Sequence, residues 1–261
     1  MATDTFDTSS PAGPAARLTP LDALVGVLVR PRHTFERMRD AAHGYWWVVF
    51  VLALVVLIIS TVATVPIEVE VQQAAFEAQI EQFEDLPPEQ LAQIEQTQRI
   101  FSSTVVLSVI NTATGIVGLL FRYVLRAGLL FLLGLALGGQ ASFKQVWRMA
   151  VWTTLPLVIG SLVSAIAVIA TGNLPAAGLT TIFSDAELAS VSPVLIALLS
   201  RIDLYTLWSL ALIAVGMVAT ARLSLGNGVG IAAAYWLLGV GWAMAIAAIG
   251  QALLASFGGG L

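Results

Sequence analysis

Long stretches without charge dominate the pattern of hydrophobic and polar positions along the chain. Ala41 to Ile67, Met149 to Ser184 and Leu223 to Leu261 contain no Asp, Glu, Lys or Arg. A helix needs roughly 20 mostly apolar residues to cross the hydrocarbon core of a bilayer, and each stretch is longer than that. The pattern predicts an all-α, polytopic membrane protein.

The apolar segments resolve into a bundle of five transmembrane helices. We expect Pro66 to end the first span and Pro156 to lie inside the third, where neighbouring helices can satisfy the freed carbonyl. Leu225 to Gly228 predict a tight turn between the last two spans. The membrane domain, residues 45–261, then has spans at about 45–65, 112–138, 149–171, 203–222 and 229–256.

The second span is the least clearly bounded. Phe101 to Leu137 is too long for one untilted crossing, but residues 121–127 contain no Gly, Pro, Asn or Asp to form a turn. We therefore predict one helix from about Thr112 to Gly138. Its extension, residues 101–111, would lie above or along the membrane interface.

A hydrophilic insert at residues 67–100 separates the first two spans. Phe76, Ile80 and Phe83 recur at helical spacing before Pro87 and Pro88, which predicts a helical hairpin outside the membrane. Two roles remain open for it, a solvated cap and a binding surface for a partner. The insert holds the acidic residues Glu68, Glu70, Glu77, Glu81, Glu84, Asp85, Glu89 and Glu95.

The N-terminal region is polar and basic. Residues 1–17 predict a disordered tail, and residues 18–44 predict amphipathic helices, with Thr19 as the N-cap of the first and Pro31 at the start of the second. A cytoplasmic partner or anionic lipid could bind residues 18–40. Packing against the bundle is the equally supported alternative.

The distribution of basic residues predicts the orientation in the membrane. With the N-terminus in the cytoplasm, eight of the twelve basic residues fall on the cytoplasmic side, as the positive-inside rule requires. Five crossings then place the C-terminus and the acidic hairpin outside. We expect a multi-pass protein of the cell membrane, that is, the plasma or inner membrane.

Composition argues against several classes of function. The chain has no Cys, which excludes thiolate chemistry. Its net charge is −4 and its basic residues form no stripe, which argues against binding of nucleic acid. Its two histidines, His33 and His43, have no third ligand for a metal, and common catalytic and nucleotide-binding motifs are missing. We therefore expect no enzyme activity, no cofactor and no metal.

Two arginines interrupt the apolar pattern of the second span. Arg122 and Arg126 share one face of a helix, and each arginine near a helix centre costs roughly 2.5–3.5 kcal/mol on insertion scales. Asp203, at the start of the fourth span, is the acid best placed to reach Arg122. The three residues form a candidate intramembrane polar cluster, with a structural lock, a ligand or ion site, and snorkelling as the alternatives.

Several short motifs together resemble the Yip family, the Ypt-interacting-protein membrane domain, in its bacterial multi-pass form. They are Pro31 with Thr34-Phe35, the stretch Gly138 to Gln145, Leu155-Pro156, the stretch Asp203 to Trp208, and Gly216. The resemblance implies a five-helix bundle with a cytoplasmic N-terminus and no known catalytic centre. Eukaryotic relatives are associated with Rab-type GTPases, a role that does not transfer to a bacterial protein.

These observations favour a non-enzymatic membrane protein that organises membrane or partner proteins. A small-molecule or anion transporter or channel using Arg122 and Arg126 is the main alternative. It requires a continuous polar face across several helices, which the third and fifth spans hardly show. An intramembrane enzyme is the weaker alternative, because paired carboxylates and intramembrane histidines are missing.

Overall fold

The fold is a bundle of α-helices, seen here in a computed structural model that describes residues 18–41, 44–80 and 87–258. The predicted disordered tail at residues 1–17, His43, and the turn of the acidic hairpin at residues 81–86 lie outside the described residues. No strand occurs within the described ranges.

Five apolar segments are long enough to cross a membrane, which confirms the predicted all-α polytopic fold. They are α3, α5, α6 together with α7, α10, and α11. A short 3-10 helix, Gly178–Ile182, lies between α7 and α8. The helices are α1 (Pro20–Val29), α2 (Pro31–Asp40), α3 (Trp46–Ile80), α4 (Pro88–Phe101), α5 (Thr104–Ala136), α6 (Phe143–Trp152), α7 (Leu155–Thr171), α8 (Asp185–Ala189), α9 (Pro193–Leu199), α10 (Leu204–Ala221) and α11 (Leu225–Gly258).

The two ends of the bundle differ in charge, and we name them accordingly. The basic face carries α1, α2 and the connections 137–142 and 222–224. The acidic face carries α4, the part of α3 beyond Pro66, and the connection 172–203. Each described arm of the acidic insert is helical, in α3 and in α4.

Capping residues fix where several helices begin. The Thr19 side chain accepts a hydrogen bond from the Asp22 backbone N–H, and the Asp22 carboxylate accepts one from Thr19. Ser142 with Gln145 and Ser184 with Glu187 form the same reciprocal arrangement. Each pair satisfies N–H groups that the first turn of a helix leaves without partners.

Pro66 does not end the first span, contrary to the prediction. It lies inside α3, whose 35 residues extend roughly 52 Å at 1.5 Å per residue, well beyond a bilayer core. Two residues after Pro66, the Glu68 carboxylate accepts a hydrogen bond of 2.8 Å from the Asn111 amide of α5. This bond ties the extension of α3 to its neighbour, so the helix continues past the proline.

The third span is broken, whereas the sequence predicted one helix containing Pro156. Pro156 has no N–H to donate to the Trp152 carbonyl, and α6 ends at Trp152 while α7 starts at Leu155. In the break, the Thr153 and Thr154 hydroxyls bond back to carbonyls three residues earlier, at 2.8 and 2.6 Å. The proline therefore lies in the first turn of α7.

The predicted turn at Leu225 to Gly228 is also wrong, because these residues form the first turn of α11. Residues 222–224 make the connection instead. Arg222 adopts a left-handed conformation with φ 58°, and the Ser224 hydroxyl accepts a hydrogen bond from the Asn227 N–H. The second span is a single helix, as predicted, but α5 also includes most of the predicted extension.

Helix α10 is the most enclosed of the five spans. Half of its span is buried, and it packs against α2, α6, α7 and α11. A Cβ at Gly228 of α11 would lie 2.6 Å from the Ala214 carbonyl oxygen of α10, so the two backbones meet directly. This close approach explains why glycine stands at position 228.

Helix α2 is docked into the bundle. Phe35 is fully buried and Met38 is 2 % exposed, and both belong to the central apolar core. The Arg39 guanidinium also donates a hydrogen bond of 3.0 Å to the Ala219 carbonyl of α10. Of the two alternatives for this segment, packing against the bundle therefore applies to α2.

The corner between α2 and α3 is held by α6. The Trp152 indole N–H donates a hydrogen bond of 2.8 Å to the Gly44 carbonyl, and Arg148 donates one of 2.9 Å to the Ala41 carbonyl. Tyr45 at this corner has φ 44°, a conformation that L-residues rarely adopt without surrounding support. The basic face is thus fixed relative to the spans.

Candidate functional site

A cavity of about 750 Å³ lies between α3, α5, α7, α10 and α11, toward the acidic face. Residues of the connection between α7 and α10, including 174–178 and 200–201, complete its wall. The three residues of the predicted polar cluster, Arg122, Arg126 and Asp203, all line this cavity. Its size is within the range of small-molecule binding sites, roughly 300–1,000 Å³.

Arg126 is the most deeply buried charged residue of the cavity, at 5 % exposure. One guanidinium nitrogen, Nη2, donates to the Thr153 carbonyl at 3.2 Å, the Thr153 hydroxyl at 2.9 Å and the Ser209 hydroxyl at 2.7 Å. The break between α6 and α7 places Thr153 at this position. The Ser209 hydroxyl in turn donates to the Thr153 carbonyl at 2.7 Å.

These contacts satisfy only part of the arginine. Its Nε is buried without a hydrogen-bond partner among the described residues, and no carboxylate there forms an ion pair with it. The Tyr235 ring centroid lies 5.1 Å from the guanidinium carbon, a cation–π distance. The positive charge is therefore held by neutral groups alone, at a depth where a charge is costly.

Arg122 and Asp203 do not form the ion pair that the sequence suggested. Within the described residues, Arg122 has no hydrogen bond or ion pair, and its side chain is exposed in the cavity. The Asp203 carboxylate instead caps α10, accepting hydrogen bonds from the backbone N–H and the hydroxyl of Thr206. A direct structural lock between Arg122 and Asp203 is not present in this structure.

Hydroxyl groups and a third arginine complete the lining, and sequence reasoning missed both. Arg201 lines the cavity from the connection before α10, and its backbone carbonyl accepts a hydrogen bond from the Trp236 indole. The hydroxyl groups could have been found from their spacing, because hydroxyl residues three or four positions apart share one face of a helix. The pairs are Ser60 with Thr64 on α3 and Ser161 with Ser164 on α7.

The cavity has an apolar floor toward the basic face. Leu130 follows Arg126 by four residues on α5, Ile213 follows Ser209 by four on α10, and Ile231 precedes Tyr235 by four on α11. All three side chains are fully buried or 1 % exposed. One helical turn below the polar layer, the bundle is therefore packed with hydrocarbon.

A second candidate surface lies on α1, at the basic face. Leu21, Val25 and Val29 are 70 %, 50 % and 69 % exposed and recur every four residues, so they form one apolar ridge. Ala23 and Val27, on the other side of α1, are fully buried. We call Leu21, Val25 and Val29 the α1 ridge.

Charged groups lie at the ends of the α1 ridge and along α2. Arg30 and Arg32 are exposed beside the ridge at the junction of α1 and α2. Hydrogen bonds from the Thr19 side chain and backbone hold the pKa of Asp22 below its ordinary value. The Arg39 guanidinium likewise lowers the pKa of Asp40, whose carboxylate oxygens it contacts at 2.8 Å.

Comparison with known proteins gives one match. A family model of the Yip1 domain matches residues 25–255, which is most of the chain and includes α2, all five spans and the cavity. No curated protein and no solved structure matches the chain.

Proposed function

The chain belongs to the Yip1 domain family, and we propose that it is a non-catalytic membrane scaffold that binds partner proteins at its basic face. The α1 ridge is the observation that supports this most directly. Three large apolar side chains are exposed on a helix whose other side is buried, next to exposed arginines. An apolar ridge with a basic border is typical of a surface that binds an amphipathic partner.

The proposal includes the placement of the protein in the cell membrane, with the basic face in the cytoplasm and the C-terminus outside. The excess of Lys and Arg on the connections at that face supports this orientation. A cytoplasmic partner would therefore meet the α1 ridge, and an extracytoplasmic partner would meet the acidic insert.

The chemistry of the cavity supports a non-catalytic role. The ionisable side chains that line it in the described residues are three arginines, two tyrosines and Asp203. Arginine stays protonated in proteins and cannot act as a general base. Asp203 already accepts two hydrogen bonds from Thr206 as the cap of α10.

The cavity favours the transporter alternative, but it does not continue across the bundle to the basic face. Hydroxyl groups of α3 and α7 do form a polar face across several helices, which the sequence had not indicated for the third span. However, Leu130, Ile213 and Ile231 fill the layer beneath it. Transport would require this packed layer to open, so the scaffold remains the better supported function.

Cross-linking in native membranes tests the scaffold function. We would replace Leu21, Val25 and Val29 together with Gln, a good helix former, which removes the α1 ridge while leaving Ala23 and Val27 buried. The expected result is loss of the cross-linked protein adducts that the wild-type chain forms, with thermal unfolding in detergent unchanged.

Val71→Gln with Ile94→Gln serves as the matched control, because both residues are exposed on the acidic insert. This variant keeps the adducts if the partner binds the basic face and loses them if it binds the insert. Adducts that survive both variants, or a wild-type chain that forms none, would contradict the scaffold function.

A further inference from the structure

We propose that the cavity beside Arg126 binds the phosphate group of an anionic ligand, with Arg122, Arg126 and Arg201 as its cationic partners. The site lies at the other end of the bundle from the α1 ridge. It can therefore be present or absent whatever the function of the basic face.

The charge balance of the lining is the first argument. Three arginines and one aspartate line the cavity in the described residues, and the aspartate is engaged as a helix cap. The lining therefore carries a positive excess of two charges, and two of its arginines, Arg122 and Arg126, lie within the apolar span α5. Buried or membrane-embedded charges are normally compensated by a partner, and the described part of the chain offers no acid to do so.

The incomplete hydrogen bonding of the arginines is the second, independent argument. Arg126 is 95 % buried, yet its Nε has no partner among the described residues, while three neutral acceptors surround Nη2. Arg122 likewise has no polar contact within those residues. An anion in the cavity would bind the exposed Arg122 directly and compensate the buried charge of Arg126.

The size and lining of the cavity specify the class of anion. A volume of about 750 Å³ is far larger than a halide ion needs and suits a phosphate with attached groups. Guanidinium forks match phosphate oxygens with paired hydrogen bonds, and the lining hydroxyls add further donors. Leu157, Val168, Leu210 and Val240 give the same cavity apolar walls for the rest of the ligand.

Two sources can supply such a group, an anionic phospholipid and free phosphate. Purified full-length protein in a neutral detergent would be titrated with dioleoylphosphatidylglycerol, dioleoylphosphatidylcholine or inorganic phosphate, with the melting temperature as readout. A ligand that binds the folded state raises the melting temperature in a dose-dependent way. Stabilisation by phosphatidylglycerol alone identifies a lipid, and stabilisation by inorganic phosphate identifies the free anion.

Arginine variants assign the effect to the cavity. Arg122→Gln removes no hydrogen bond or ion pair seen in the described residues, so the folded state should persist, while apparent affinity falls about tenfold or more. Arg126→Gln should weaken binding at least as much. Lys144→Gln, an exposed charge next to the basic face and outside residues 18–40, is the charge-matched control and should change affinity by less than about twofold.

The proposal is overturned if neither phosphatidylglycerol nor inorganic phosphate stabilises the wild-type protein, or if phosphatidylcholine stabilises it as much as phosphatidylglycerol does. It is equally overturned if Arg122→Gln binds phosphatidylglycerol and phosphate as tightly as the wild type. Arg122→Gln decides the question even if Arg126→Gln does not fold, because in the described part of the chain Arg126 donates hydrogen bonds to the bundle and Arg122 donates none.

Discussion

At the residue scale, Arg126 connects three parts of the bundle through one nitrogen. Its Nη2 joins α5 to the break before α7 and, through Ser209, to α10. Hydrogen bonds to a charged group contribute about 1.5–3 kcal/mol each, more than those between neutral groups. The buried guanidinium therefore stabilises the packing of these three parts of the bundle and also lines the candidate site.

Ser209→Ala should destabilise the protein by about 1–3 kcal/mol, because it removes an acceptor from a buried charge. Ser161→Ala is the control, since Ser161 is exposed in the same cavity, and surface changes usually stay within about 0.5 kcal/mol. Chemical unfolding in mixed micelles measures both. Equal stability of the two variants would show that Arg126 does not depend on Ser209.

Acid should weaken the basic face. The Arg39 guanidinium lowers the pKa of Asp40 in the folded state, so this carboxylate stabilises the fold above its unfolded pKa. That contribution is lost as the pH falls below about 4, through the lowered folded pKa. Asp22, whose pKa is lowered by Thr19, acts in the same direction at the basic face, and Glu187, whose pKa is lowered by Ser184, does so at the acidic face.

The measurement is the melting temperature in detergent between pH 7 and pH 3. Asp40→Asn should reduce the fall of the melting temperature in acid, and it should lower the value at pH 7 only slightly, since the Asp40 side chain is largely exposed to solvent. An acid profile for Asp40→Asn that runs parallel to the wild-type profile would contradict this role.

At the element scale, Gly228 allows the backbones of α10 and α11 to approach closely. Gly228→Ala should cost about 1–3 kcal/mol, because the new Cβ would meet the backbone oxygen of Ala214. Gly230→Ala, two residues later, meets nothing within 4 Å and should be neutral or stabilising by up to about 1 kcal/mol. The free energies of unfolding of the two variants are compared under identical conditions. A larger loss for Gly230→Ala than for Gly228→Ala would contradict the close packing of α10 and α11.

Local sequence signals predicted a helix cap, but they did not predict what happens at the two prolines. The cap at Thr19 forms as predicted, because a capping box needs only four neighbouring residues. The outcome at a proline depends on distant groups. Past Pro66 the helix is tied to Asn111, and before Pro156 the chain breaks where Thr153 meets Arg126.

Of the candidate site, the sequence predicted the charged residues but not the cavity or the hydroxyl groups that line it. Arg122 and Arg126 stand out in an apolar segment, and they do line one cavity with Asp203. The partners of Arg126 lie 27 and 83 residues away along the chain, and no local pattern connects them. The hydroxyls of α7 were overlooked because isolated serines are common in membrane helices.

At the scale of the whole molecule, the two ends of the bundle differ in construction. The basic face is joined to the spans by the buried side chains of Phe35 and Met38 and by the hydrogen bond from Trp152 to Gly44. The acidic face holds the cavity, above a packed apolar layer. This division suits a protein that binds partners at one end and a small ligand at the other.

The orientation of five crossings with a cytoplasmic basic face underlies the scaffold proposal, and cysteine labelling tests it most directly. The chain has no native cysteine, so single cysteines at exposed positions report without background. With a membrane-impermeant maleimide, Gln96→Cys and Asn173→Cys should label in intact cells. His33→Cys and Gln140→Cys should label only after permeabilisation, and labelling of either in intact cells would contradict the orientation.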